Sequence, residues 1–246
     1  MLADKRTKKV FLTGGTAGIG KATTLLLAQM GFELYIIGRD RDKMDILLQD
    51  AGDLGVSNRI ISIIEDLNDK QNIKNILPEI WREHGPFDVL INNAGIGFGS
   101  VVGASIEDLN YMINTNLLSY MQLAAFFAER MKEEGIEGDI INIGSMSADS
   151  RDADSSGYVA SKAGIQGFTE AFRKEVNPHN IRVTLIEPGL VNSDMQAHDA
   201  QEKKQLQEKD EMLEANDIAN LIVYILQQDR RVTIVEIKIK PLRQII

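Results

Sequence analysis

The sequence predicts a single-domain α/β fold built on a doubly wound, mainly parallel sheet of seven strands. Three observations carry that expectation. Short β-rich runs alternate with longer helical patterns from one end of the chain to the other. Several of the runs are nearly continuous Val, Ile and Leu, as parallel strands covered on both faces require. The first run leads directly into a glycine-rich turn that opens a helix. Alternation at this spacing makes βαβ units, and right-handed crossovers then gather the strand C-termini along one edge, where ligands bind.

The strands expected in order are 9–13 around Val10-Phe11-Leu12, 33–37 around Leu34-Tyr35-Ile36-Ile37, and 60–64 around Ile60-Ile61-Ser62-Ile63-Ile64. They continue at 89–91 (Val89-Leu90-Ile91), 140–143 (Ile140-Ile141-Asn142-Ile143), 182–186 (Val183-Thr184-Leu185-Ile186) and 233–239. Helical patterns fall near 18–31, 41–54, 69–84, 106–134, 158–177 and 216–228. No low-complexity linker or repeat divides residues 1–246, so one domain is expected. One segment breaks the rhythm: 192–214, rich in charge from Asp199 onward, reads either as a solvated surface helix or as a substrate lid.

Composition narrows the chemistry. The 246 residues are 43% hydrophobic, enough for a sizeable core, and carry a net charge of −9. The absence of Cys excludes disulfides, thiolate metal sites, iron–sulfur clusters and a Cys nucleophile. Three scattered histidines (His84, His179, His198) argue against a metal site. The negative balance opposes a phosphate backbone, so no nucleic-acid partner is expected. Lys5, Arg6, Lys8 and Lys9 precede an apolar run too short for a signal peptide or a membrane span, and read as a solvated tail. A soluble cytoplasmic protein with no membrane partner is the expectation.

The glycine-rich turn is Thr13-Gly14-Gly15-Thr16-Ala17-Gly18-Ile19-Gly20. Gly14 lets the chain turn sharply, Gly18 lets the backbone approach a ligand, and Gly20 permits close helix–strand packing. The N–H groups and dipole of the following helix suit a pyrophosphate. Dinucleotide sites selective for NAD usually place a carboxylate at the end of the second strand, where this chain has Gly38 followed by Arg39. A guanidinium there suits a 2′-phosphate, so NADP is favoured over NAD. Asp40 is read as the cap of the next helix.

Tyr158 and Lys162 stand at i and i+4, on one helix face. Just upstream, Gly144-Ser145-Met146-Ser147 ends one strand, and Asn92-Asn93-Ala94-Gly95 ends another. With Asp66 after the third strand, Asn116, and Pro188-Gly189-Leu190-Val191-Asn192-Ser193, these strings resemble, in order and spacing, the short-chain dehydrogenase/reductase family over essentially the whole chain. The resemblance implies a Rossmann-type domain, a nicotinamide cofactor and alcohol–carbonyl interconversion.

It also implies roles. Tyr158 is the general acid/base, Ser145 holds the substrate oxygen, Lys162 binds the nicotinamide ribose, and Asn116 holds a water in a proton relay. Gly14, Thr16, Gly18, Ile19 and Gly20 would cradle the pyrophosphate, with Arg39 beside the ribose. Asp66 and Leu67 would meet the adenine, and Asn92, Asn93, Ala94 and Gly95 would line the cofactor. Pro188, Gly189, Val191 and Ser193 would meet the nicotinamide. Simpler readings stand beside two of these: Asn116 breaking a helix, and Asp66 capping one. Ser119 stands where a Gly often follows Asn116.

The proton chemistry is physically reasonable. Bringing a Tyr from pKa 10 to neutrality takes roughly 4 kcal/mol. An ammonium within about 5 Å supplies approximately 3 kcal/mol at an effective dielectric of ~20. Lys162 is therefore expected to lower Tyr158, with the oxidised nicotinamide supplying the remainder.

The C-terminal Val232–Gln244 segment lacks the Gly-rich ending usual in carrier-linked fatty-acyl reductases. It resembles instead the branch acting on serine and related 3-hydroxy acids. A carboxylate substrate would want a cation, for which Arg151 is a candidate, although a solvated loop Arg is the alternative. Larger ketones or sugars are the competing substrates, and a non-catalytic NADP-sensing protein is the reading from another class. The apolar content of 111–134 (Leu117, Met121, Ala124, Ala125, Phe126, Phe127, Ala128) exceeds one helix face and suggests a homodimer or homotetramer; a buried helix in a monomer gives the same pattern.

Overall fold

The computed structural model describes residues 7–195 and 199–244. Its sheet has seven strands, all parallel, in the order β3-β2-β1-β4-β5-β6-β7. They are β1 (Lys9–Thr13), β2 (Glu33–Gly38), β3 (Ile60–Ile64), β4 (Val89–Asn92), β5 (Asp139–Ile143), β6 (Arg182–Pro188) and β7 (Glu236–Ile239). Each lies where the apolar runs put it, with small extensions. Strand 7 is shorter than the run 233–239, because Val232–Val235 lie outside the strand proper.

The helices are α1 (Gly18–Gln29), α2 (Arg41–Asp53), α3 (Lys70–His84), α4 (Ile106–Ile113), α5 (Ser119–Glu133), α6 (Ser147–Ser150), α7 (Ser156–Val176), α8 (Ala200–Glu208) and α9 (Ala215–Leu226). The long pattern at 106–134 is two helices joined by a π-helical segment, Asn114–Leu118. Period counting cannot see this extra residue, because the apolar stripe runs through it.

Alternation along the strands splits the core into two layers. Val10, Leu12, Leu34, Ile36, Val89 and Ile91 face one side, against Leu27 of α1, Leu47 of α2 and Ile218 and Ile222 of α9. Phe11, Tyr35, Ile37 and Leu90 face the other, against Trp81 of α3, Phe127 of α5 and Phe172 of α7. On that second side Phe127 meets Phe11, Trp81, Phe87 and Phe126 with ring centroids between 5.1 and 5.8 Å. Of the apolar surplus of 111–134, Ala124, Phe127 and Ala128 are buried and Leu117 and Phe126 pack against the core, whereas Met121 and Ala125 are exposed.

The strand order reverses between β1 and β4. β1 proceeds outward to β2 and β3, and the chain then returns to place β4 on the other side. In such a sheet the crevice opens beyond the carboxyl ends of these two strands. Truncation of Phe127 to Ala is expected to cost about 3–5 kcal/mol of unfolding free energy. Denaturant melts read at constant m-value check this.

Candidate active site

Two adjoining cavities lie along the carboxyl edge of the sheet. The first, of about 240 Å³, is bounded by Gly14, Thr16, Gly18 and Ile19 of the glycine-rich turn, Arg39, Asp66, Leu67, and Asn93, Ala94 and Gly95 after β4. The second, of about 410 Å³, contains Ser145, Tyr158, Lys162, Pro188, Gly189 and Val191. Ile19, Asn93, Ser193 and Met195 line both and so form the passage between them.

The first cavity is held open by backbone geometry. Gly14 has φ +66°, and a Cβ there would lie 2.8 Å from the Ala94 Cα. Gly18 has φ +50°, and a Cβ there would approach the Ser193 Cβ at 3.1 Å. Thr13 clasps the two strand ends: its hydroxyl accepts from the N–H groups of Asn93 and Ala94, both at 3.0 Å. The Asn93 amide returns two bonds to the carbonyls of Thr13 and Gly14, both also at 3.0 Å. Gly20 lies behind the turn against the Gly14 carbonyl and the Asn93 amide, so it serves packing.

These residues fit a dinucleotide. The N-terminus of α1 has no side-chain cap and no acidic residue in its first turn, so its N–H groups and positive dipole end are left for an anion. Asp40 caps α2, accepting from the Lys43 N–H at 3.1 Å. Arg39 crosses the outer end of the cavity, over the Tyr111 ring at 5.4 Å and 3.9 Å from Asp66. Asp66 also accepts from the Asn68 N–H at 2.9 Å, so it turns the chain as well as lining the cleft.

The second cavity gathers the hydroxyls. Ser145 follows β5 and lines this cavity together with Tyr158. The Ser145 hydroxyl donates to the Ser147 hydroxyl at 3.2 Å. Tyr158 and Lys162 share a face of α7, with the Lys162 Nζ 5.7 Å from the Tyr158 ring centroid and an equal distance from the buried Tyr120 ring. That Nζ donates to the Ile143 carbonyl at 3.0 Å. Only 2% of Lys162 is exposed.

Burial changes the proton chemistry expected from the sequence. Desolvation pushes the Tyr158 phenol up, and the Ser145 hydroxyl opposes this only in part. Desolvation likewise brings the Lys162 amine down to about 8, with the Glu187 charge working the other way. The expectation that Lys162 lowers Tyr158 therefore fails in the protein by itself. In a low-dielectric interior, each group's loss of water outweighs the attraction between them. Tyr158 is held as the phenol at neutral pH, the form that donates a proton.

Several expected residues sit elsewhere. Asn92 is fully buried and does not reach either cavity; its amide bonds Asn142 at 2.9 Å across the sheet. Asn116 lies in the π segment, where its amide donates to the Ile96 carbonyl and accepts the Ile96 N–H, both at 2.8 Å, and donates to Ser161 at 3.2 Å. It thereby fixes the stretch after Gly95. Arg151 is not among the residues lining the second cavity, and its Nε donates to the Ala148 carbonyl at 3.2 Å. It ends α6 in a left-handed conformation (φ 53°).

Over 199–208 the charged segment is a surface helix, α8, capped by Asp199 and Glu202 and burying no residue. Lys203 ties it to the Ser193 carbonyl at 2.8 Å. His198 and the rest of 196–198 lie outside the described residues, as do Lys5 and Arg6.

Sequence reasoning passed over Phe98, Ile96, Met195 and Gln244. Gln244 accepts from the Leu190 N–H at 2.9 Å, so the C-terminal segment braces the wall of the second cavity. Its signal was present in Lys240-Pro241-Leu242-Arg243-Gln244, which carried the branch resemblance without a structural role.

Residues 8–204 match the model of the short chain dehydrogenase family. The chain is 32% identical over 189 residues to a 3-oxoacyl-[acyl-carrier-protein] reductase of Thermotoga maritima, covering 76% of each. It is 28% identical over 244 residues to an NADP-dependent 3-hydroxy acid dehydrogenase of Schizosaccharomyces pombe, covering 96% of this chain and 93% of that one. The crystal structure of a metagenomic short-chain oxidoreductase in complex with NADP superposes with TM-score 0.81 at 26% identity, covering 96% of this chain and 98% of that one. The chain belongs to the short-chain dehydrogenase family and is an NAD(P)-dependent oxidoreductase of the Rossmann-like fold.

Among the described residues no helix is long and apolar enough to cross a membrane. Replacing Gly14 by Ala is expected to weaken nucleotide binding at least tenfold, because the added Cβ meets the Ala94 backbone. Isothermal titration with NADP⁺ and NAD⁺ measures this, with circular dichroism confirming the fold.

Proposed function

We propose that the protein interconverts a small hydroxy compound, a 3-hydroxy acid or close relative, and its carbonyl, using NADP. The observation that carries the reading is the Ser145–Tyr158 hydroxyl pair above Lys162, in a cavity that opens into the dinucleotide cleft. A nicotinamide held where the two cavities join, by Ile19, Asn93 and Ser193, would supply hydride chemistry there. Ser145 orients the substrate oxygen, and Tyr158 exchanges a proton with that oxygen. Lys162 stabilises the phenolate that remains when the proton has left. Asn116 fixes the Gly95–Ile96 backbone; the Lys162 amine lies 3.8 Å from where a Gly95 Cβ would be, which supports a relay role for Asn116 beside it.

Arg39 supports NADP. It is the guanidinium at the outer end of the cleft, and the nearest alternative for a ribose 2′-OH, Asp40, is engaged at the start of α2. Substrate class is supported by coverage. The 3-hydroxy acid dehydrogenase of fission yeast aligns along 96% of the chain, and the mouse carrier-protein reductase, which stands for the competing class, along 87% of it. Met121, exposed on α5, and Ile113 at the end of α4 support a homo-oligomer formed through these helices.

Initial rates with NADP⁺ and NAD⁺ over a panel of 3-hydroxy acids, larger alcohols and sugars test the function. Turnover confined to large ketones or sugars would replace the substrate class. Tyr158→Phe is expected to lower kcat at least 10³-fold while NADP⁺ still binds. Arg39→Ala is expected to raise the KM for NADP⁺ at least tenfold with little change for NAD⁺. For ketone reduction, kcat/KM reports the free enzyme. The protonated Lys162 is present below about pH 8 and lost above it, so kcat/KM falls as pH rises through about 8.

A further inference from the structure

Gln244 braces the wall of the second cavity and also lines it, yet its amide is only half used. Oε1 accepts from the Leu190 N–H at 2.9 Å, whereas Nε2 meets no acceptor among the described residues. The neighbouring chain holds this amide in place. Gly189 leaves the room: a Cβ there would fall on the amide, 3.3 Å from the Gln244 Cδ, and 2.9 Å from the Lys240 Cβ. The Gln244 backbone is fixed as well, its N–H donating to the Pro241 carbonyl at 3.3 Å and its carbonyl accepting from the Lys240 ammonium at 2.6 Å. The turn beneath is tied on both sides. The Gly189 N–H donates to the Ile239 carbonyl at 2.7 Å, and the Pro188 carbonyl accepts from the Met146 N–H at 3.0 Å. Met146 follows Ser145, so the amide lies on the turn that is bonded to the Ser145 strand end.

Among the described residues, the side-chain nitrogens lining this cavity belong to Asn93, Lys162 and Gln244. Asn93 donates to the Thr13 and Gly14 carbonyls, and Lys162 donates to the Ile143 carbonyl. Of the three, Gln244 alone keeps its N–H groups unspent. The amide is planar, so anchoring Oε1 also sets the direction of Nε2. Such a donor is ordered before any ligand arrives, which spares the entropy of fixing it on binding. An amide nitrogen donates and never accepts, so the ligand atom it suits is an acceptor oxygen. Asp152 also lines the cavity, and Arg151 does not. Recognition there runs through a hydrogen bond and not through an ion pair.

We propose that Gln244 is the specificity-determining residue for the far end of the substrate: its Nε2 donates to the acyl oxygen of a 3-hydroxy acid whose carbinol oxygen is held by Ser145 and Tyr158. This rests on the function proposed above. The Leu190 N–H holds the amide by its oxygen, and the substrate completes it at its nitrogen. The donor is uncharged, so a carboxylate and an ester carbonyl both satisfy it. An alkyl end in the same place leaves it unpaired, and a site built to hydrogen-bond its ligand discriminates against analogues that lack the partner atom.

Substrates that share one carbinol centre test this: 3-hydroxybutyrate, its methyl ester and 2-butanol, each oxidised with NADP⁺. Gln244→Glu keeps an acceptor for the Leu190 N–H and replaces the donor by a second acceptor. It is expected to lower kcat/KM for the acid and for the ester at least tenfold relative to 2-butanol, mainly through KM. Gln244→Met, which loses the brace as well, is expected to show the same relative loss. Circular dichroism and NADP⁺ affinity confirm that both variants are folded. A loss for the acid alone reports only repulsion between two negative charges and overturns the proposal. An equal loss for all the substrates, or no loss, reports a brace without recognition and overturns it too. A wild type inactive on every one of them defeats the functional reading. Calorimetric titration of the acid and the ester into NADP⁺-loaded protein then still decides the role of Gln244. Binding of both at least tenfold weaker in Gln244→Glu supports it, and equal binding or no binding overturns it.

Discussion

Everything at this site depends on holding a lysine amine inside the protein. Lys162 lies between the sheet and α7 with almost no exposed surface, bonded to the last carbonyl of β5. That position is expensive in free energy, and the neighbouring elements are arranged around it. The end of β5 supplies an acceptor, the buried ring of Tyr120 and the half-buried ring of Tyr158 flank the cation, and β6 places a carboxylate behind Gly144. The i to i+4 spacing of α7 then presents the Tyr158 phenol to the cavity, while its amine neighbour stays below. The same burial holds the phenol protonated, so one desolvated environment prepares both members of the pair.

The sheet explains why the pair sits where a nucleotide can reach it. The reversal of strand order leaves a crevice beyond β1 and β4, and Thr13 and Asn93 lock the two turns that form its floor. Positive φ at Gly14 and Gly18 lets those turns approach each other and the Ser193 loop. β5 and β6 continue on the same side of the switch, so Ser145 and the Pro188–Ser193 turn share the edge. Cleft and catalytic cavity are neighbours because their strands are neighbours.

The fold was largely legible in the sequence because buried parallel strands leave continuous apolar runs, and all seven such runs became strands. The cleft was legible too, since glycine at a strand–helix junction has few other uses. What escaped depended on side-chain direction and solvent. Asn92 and Asn93 are adjacent, but the strand pleat buries the first and turns the second into the cleft. Arg151 follows Ser145 closely in sequence, yet its guanidinium is spent on the Ala148 carbonyl and it does not line the cavity. The π segment at Asn114–Leu118 leaves the apolar period intact, so only coordinates reveal it. The upward shift of Tyr158 was missed because charge spacing along a helix says nothing about desolvation.

The central claim is that this cavity moves a hydride between a carbinol carbon and the nicotinamide, with Tyr158 exchanging the proton of the carbinol oxygen, as phenol in reduction and as its phenolate in oxidation. It is tested most directly by a single turnover with NADP⁺ and a 3-hydroxy acid deuterated at the carbinol carbon. The account predicts deuterium on one face of the reduced nicotinamide in the wild type and none transferred by Tyr158→Phe on the same timescale. Carbonyl product formed with its deuterium released to water, and none on the nicotinamide, would contradict it.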